Sequence, residues 1–185
     1  MKVVNLFPLS IIQEKILLDK NIKDKMTKEI ETMVSKSKNR DYKNKNESWT
    51  GDTQGFEYLN KNEKFKELFI HIKKTAIKYL NHLKINENVV NLYITRSWAT
   101  LSNGKEKILP HNHLQSHISF AYYLKKSAED ANIVFIEEHF QNEIIPGVFR
   151  SPTVRDQGVI TEFNIFNAPS IDLNIEEDDL VMFPS

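Results

Sequence analysis

The chain has 185 residues, 40% of them hydrophobic, which suits a single domain around one buried core. Its 25 Lys and Arg balance 25 Asp and Glu, so no net field attracts phosphate backbones or anionic lipid, and neither nucleic acid nor a membrane is an expected partner. Cysteine is absent, which excludes disulfide scaffolds, thiol nucleophiles and thiolate zinc sites and leaves His and carboxylates to hold any metal.

The opening Val3-Val4-Asn5-Leu6-Phe7-Pro8-Leu9 is apolar and rich in β formers, as for a short strand on a sheet edge, where Pro8 is tolerated. Over residues 24–37, Met26, Ile30, Met33 and Val34 recur at helical spacing among charges and predict a helix that covers one face of a core. Residues 38–46 are polar and basic and read as a mobile loop. Trp49 follows in a turn-like stretch and reads as an anchor rather than a substrate contact. The clearest helix spans residues 63–83, where Phe65, Leu68, Phe69, Ile72, Ala76, Leu80 and Leu83 form the stripe. His71 and His82 lie beside or off that stripe and read as surface residues.

After Asn86 the period falls to two. Val90, Leu92, Ile94 and Trp98 alternate with Asn91, Tyr93, Thr95 and Ser97 and predict a strand. Further strands are expected over residues 116–124, 131–136, 159–166 and 179–183, with a long irregular connection over 140–158 of the kind that shapes a substrate entrance. Helices precede strands without βαβ alternation, so the expected class is α+β, mainly antiparallel β, with the helices packed outside. No apolar run approaches the ~20 residues needed to span a bilayer, and the N-terminus lacks a long apolar signal region, so a cytoplasmic protein is expected. Abundant Lys, Asn and Ile suggest a genome poor in G and C, as in many marine bacteria and phages.

The densest chemical signal is Pro110-His111-Asn112-His113-Leu114-Gln115-Ser116-His117. In an extended chain side chains two apart share a face, so His111 and His113 can converge on one cation. Imidazole suits Fe, Zn, Cu or Ni, and an oxygen-activating iron needs open coordination positions. The alternative is a surface segment that merely carries several histidines. His117 and His139 are further candidates for a third nitrogen. The Gly-rich phosphate loop, the Gly-x-Ser-x-Gly elbow and the His-Glu-x-x-His helix are all missing.

Across nearly its whole length the chain resembles the 2-oxoglutarate-Fe(II) oxygenases of marine bacteria and cyanophages, distant relatives of prolyl hydroxylases. The resemblance is carried by Asn5-Leu6-Phe7-Pro8, the Trp49 region, Ser97-Trp98-Ala99 followed by Asn103-Gly104, and His111-Asn112-His113. Ser116, Ser119, Tyr122-Tyr123-Leu124 and Asp179-Leu180-Val181-Met182-Phe183-Pro184-Ser185 continue it. It implies one jelly-roll domain, a double-stranded β-helix, over residues 1–185, with Fe(II) on His111 and His113 and 2-oxoglutarate as cosubstrate, Tyr122 contributing to its binding. The activity implied couples oxidative decarboxylation of 2-oxoglutarate to hydroxylation of a small-molecule or protein substrate that the sequence does not identify. Relatives continue past Phe-Pro-Ser into a second histidine and an Arg-x-Ser strand, so a fragment lacking its final strands is expected, with a naturally degenerate member as the alternative; either has a weak iron site and open edges that favour a homodimer. Phe120 stands where the family usually has glycine. The competing expectation is a noncatalytic jelly-roll module that binds a ligand or protein.

Overall fold

A three-stranded antiparallel sheet in the order β1-β7-β4 organises the larger part of the structure, a computed structural model that describes residues 1–37 and 46–185. The strands are β1 (Ile12–Lys15), β4 (Ile118–Tyr122) and β7 (Asp179–Pro184), with Met182 opposite both Ile12 and Phe120. Because partners across a ladder share a face, Ile12, Glu14, Ile118, Phe120, Tyr122, Leu180 and Met182 line one side. Gln13, Lys15, Ser119, Ala121, Asp179, Val181 and Phe183 line the other.

The first face is covered by α1 (Lys20–Lys36) and α2 (Lys66–His82). Met26, Met33, Val34, Phe65, Leu68, Ile72 and Tyr79 form one core cluster with Leu180 and Met182. Each such side chain contributes about 1.5–3 kcal/mol on burial. Phe69 meets Phe120 edge-on at 6.2 Å, and Glu14 takes hydrogen bonds from Thr75 and Lys78 of α2. The start of α1 is set by Asp19, whose carboxylate accepts from the Asn21 amide at 2.8 Å, so the helix begins a turn before the expected residue 24. Trp49 is buried and donates from Nε1 to Ser37 Oγ at 2.9 Å, an anchor as expected. A short ladder joins β2 (Trp49–Thr50) to β3 (Thr100–Leu101). Residues 38–45 of the expected loop lie outside the described residues.

Two compact units emerge, Met1–Ser127 with Glu176–Ser185, and Ala128–Ile175. The second unit is built on β5 (Ile133–Ile136) paired antiparallel with β6 (Ser170–Leu173), and its short α3 (Pro152–Asp156) interrupts the stretch expected to be irregular.

Three expected strands differ. Residues 3–9 form none: the run is apolar on both parities, so it has no single face to bury, and Val3, Val4, Leu6, Phe7 and Leu9 are exposed while the edge strand forms at β1. Alternation over residues 90–98 lacks a partner edge, and only Ser97 makes a bridge, to Tyr58. Residues 159–166 yield to Asn164, whose side chain takes the Phe166 amide at 2.9 Å and whose carbonyl takes the Ala168 amide at 2.9 Å, bending the chain before β6. The class that results is mixed helix and strand with antiparallel sheets, compatible with a jelly roll. Among the described residues no helix is long and apolar enough to cross a membrane.

Candidate metal centre

His111-Asn112-His113 lies between β3 and β4, ahead of a turn in which the Ser116 amide donates to the His113 carbonyl at 3.2 Å. The two imidazoles converge, with Nε2 of His111 3.1 Å from Nε2 of His113. Two nitrogens bound at right angles to a first-row ion, at about 2.1 Å each, stand about 3.0 Å apart. The observed spacing therefore fits a shared cation, and imidazole nitrogen is a donor that Fe(II) accepts.

Each ring is held from its far side. His111 Nδ1 is 2.9 Å from the Leu109 carbonyl, which can only accept, so Nδ1 carries the proton and Nε2 presents a lone pair. His113 Nδ1 is 2.7 Å from Ser119 Oγ on β4. Ser119 in turn lies 2.7 Å from Ser185 Oγ. Trp98 meets the His113 ring edge-on at 5.5 Å and shields it on one side. Burial pushes the His113 pKa down, His111 and Arg96 add to the shift, and Asp52 opposes it.

Asp52 and Arg96 come to this region through Gly51. The Gly51 amide donates to the Ala99 carbonyl at 2.9 Å, and a Cβ there would lie 3.2 Å from both the Phe56 carbonyl oxygen and the Trp49 ring, so glycine permits the close approach. Arg96 stands 3.8 Å from Asp52 and 3.7 Å from Glu57, and its guanidinium sits over Trp98 at 5.4 Å.

The structure brings His111 and His113 together and does not bring Tyr122 to them. Tyr122 points to the helix-covered face, where its hydroxyl donates to Asp178 Oδ1 at 2.8 Å; burial first, and this carboxylate second, push its pKa far up. Asp178 is itself gripped by Lys23 at 2.7 Å. Tyr123 continues the Ser119 parity instead, and burial together with Asp179 pushes its phenol up to about 12. His117 is exposed, with its carbonyl accepting from the Ser185 amide at 3.3 Å. His139 belongs to the second unit, where its amide donates to Glu137 at 2.6 Å. Among the described residues no group of three or more His, Asp or Glu surrounds one position.

Ser119, Ser185 and Asp52 were not legible as site residues. Ser119 and Ser185 had a usable signal, their place in the segments that carry the resemblance. Asp52 had none, because its approach depends on Gly51 and on a contact far along the chain.

Residues 96–185 match the family described as "Putative 2OG-Fe(II) oxygenase". No curated protein and no solved structure matched the chain.

Proposed function

We propose, on the match of residues 96–185 to the 2OG-Fe(II) oxygenase family, that the chain is an Fe(II)- and 2-oxoglutarate-dependent oxygenase that hydroxylates an organic substrate, with His111 and His113 holding the metal through Nε2. The observation that carries this reading is the 3.1 Å approach of two ring nitrogens whose opposite nitrogens are both engaged. When bound, Fe(II) would activate O2, the oxidant, with 2-oxoglutarate giving up two electrons as it is decarboxylated and the substrate C–H bond the other two, chemistry that an all-protein site lacks.

The chain's own residues orient and shield. Leu109 and Ser119 aim the imidazoles, and Trp98 keeps water from one face of His113. Arg96 is the group we assign to the 2-oxoglutarate carboxylate. Its contacts to Asp52 and Glu57, at 3.8 and 3.7 Å, are longer than hydrogen bonds, so guanidinium donors remain for a ligand. A jelly-roll architecture belongs to the same proposal; the antiparallel sheet with helices on one face supports it.

The test is anaerobic calorimetry of Fe(II) binding, with and without 2-oxoglutarate, on the chain and on the His111→Ala/His113→Ala double variant. Binding that requires both histidines and tightens with 2-oxoglutarate is expected. Fe(II) binding unaffected by the double substitution would remove the assignment.

A further inference from the structure

We infer that Ser119, Ser185 and Ser116 form a hydroxyl chain with both ends on His113, and that the direction of its hydrogen bonds decides which His113 nitrogen can hold a metal. The inference rests on the proposed metal site and adds three positioning residues to it.

From His113 Nδ1 the chain runs to Ser119 Oγ, then to Ser185 Oγ and then to Ser116 Oγ, each step 2.7 Å. It closes where Ser116 Oγ donates to the His113 carbonyl at 3.2 Å. A serine hydroxyl has one proton, and a carbonyl oxygen has none. If Ser116 donates to the His113 carbonyl, Ser185 must donate to Ser116, and Ser119 must donate to Ser185. Ser119 then has only lone pairs left for His113, so the imidazole must carry its proton on Nδ1. Nε2 is thereby a lone pair, aimed at the position that His111 Nε2 also faces.

The opposite order ends differently. Ser116 would donate to Ser185, Ser185 to Ser119 and Ser119 to Nδ1, which leaves the His113 proton on Nε2, where it donates to His111 Nε2 at 3.1 Å, and forfeits the bond to the His113 carbonyl. A protonated Nε2 cannot ligate. The order of three hydroxyl protons and the availability of the ligand are therefore one variable, and a cation at the two Nε2 atoms selects the first order. His111 needs no such chain, because the Leu109 carbonyl can only accept.

The fold builds the chain from three places. Ser119 is buried on β4, Ser185 follows the last residue of β7, and Ser116 sits in the turn after His113. The β4–β7 register, Ser119 opposite Phe183, sets the spacing of the first two.

Zn(II) serves as a diamagnetic probe, added to the full chain carrying 15N-labelled histidine. The expected spectrum shows the Zn(II)-bound His113 protonated on Nδ1. Ser119→Ala should bind Zn(II) roughly 10–100-fold more weakly, the usual effect of removing a partner of a ligating histidine. Ser185→Ala should lose less, and Ser119→Thr, which restores the hydroxyl, should recover most of the affinity. If Ser119→Ala does not fold, Ser185→Ala at its exposed hydroxyl carries the test. Wild-type affinity in both alanine variants, while His111 and His113 remain required, would overturn the hydroxyl chain alone. Absence of Zn(II) binding to the wild-type chain, or binding indifferent to both histidines, would overturn the chain and the metal site together.

Discussion

Ser119 and Tyr122 stand on the same strand and face opposite sides of its sheet. Ser119 meets His113 at 2.7 Å, whereas Tyr122 meets Asp178 beneath the helices, so the phenol expected beside the cofactor is a link between β4 and the turn that enters β7. Tyr122→Phe removes a hydrogen bond to a charged acceptor and should lower stability by about 1–2 kcal/mol. Denaturant titration measures that loss. Metal binding should be unchanged in the same variant, and a variant that binds metal tenfold more weakly would contradict the separation of faces.

Arg96→Gln keeps a polar side chain over Trp98 and removes the positive charge. Fe(II) binding without 2-oxoglutarate should be little altered, because Arg96 is no ligand. The tightening caused by 2-oxoglutarate should fall roughly tenfold, the lower range for a charge-assisted bond at a half-exposed side chain. Calorimetry with the dicarboxylate present and absent separates the two effects, and an undiminished tightening would remove Arg96 from that role.

Acid should destabilise the fold through Asp179 and Glu14. Burial pushes the Asp179 carboxyl up, but the Glu176 amide at 2.8 Å, Gln13 at 2.9 Å and Lys15 together outweigh it and hold the group below its ordinary value of 3.8. For Glu14, burial is likewise outweighed by Lys78 and Thr75, and the group lies below its ordinary 4.5. A depressed pKa means that the unfolded chain binds more protons than the native one. The stabilisation is complete above the ordinary values and is lost as pH falls through them toward the lowered native ones. Urea midpoints should therefore drop between about pH 5 and pH 3, and Asp179→Asn should flatten that slope. A full slope in the variant would assign the acid sensitivity elsewhere.

How much was legible in the sequence follows from what local pattern can carry. The stripe from Phe65 to Leu80 fixed a helix because its period is a property of the segment alone. The same holds for the strands expected over residues 116–124 and 179–183, which form β4 and β7, whereas the spacing of two only made His111 and His113 candidates and the Leu109 carbonyl and Ser119 hold their rings together. Alternation over residues 90–98 is equally clear yet forms no ladder, since a strand also needs a partner, which sequence periodicity does not provide. Tyr122 and Tyr123 show the limit at the site. Adjacent tyrosines have opposite fates, and only the register against β7 tells which one faces the core helices.

That contrast between pattern and partner gives a final prediction. Leu180 is fully buried in the β7 strand beneath α2, so Leu180→Ala removes apolar contacts and leaves a cavity that neighbouring strands cannot fill, at a cost of about 2–5 kcal/mol. Tyr93 belongs to the equally regular run that forms no ladder and is 80% exposed. Tyr93→Ala should therefore change stability by less than about 0.5 kcal/mol. Chemical denaturation of both variants measures the difference. A Tyr93→Ala loss comparable to that of Leu180→Ala would mean that residues 90–98 are packed as a strand in solution.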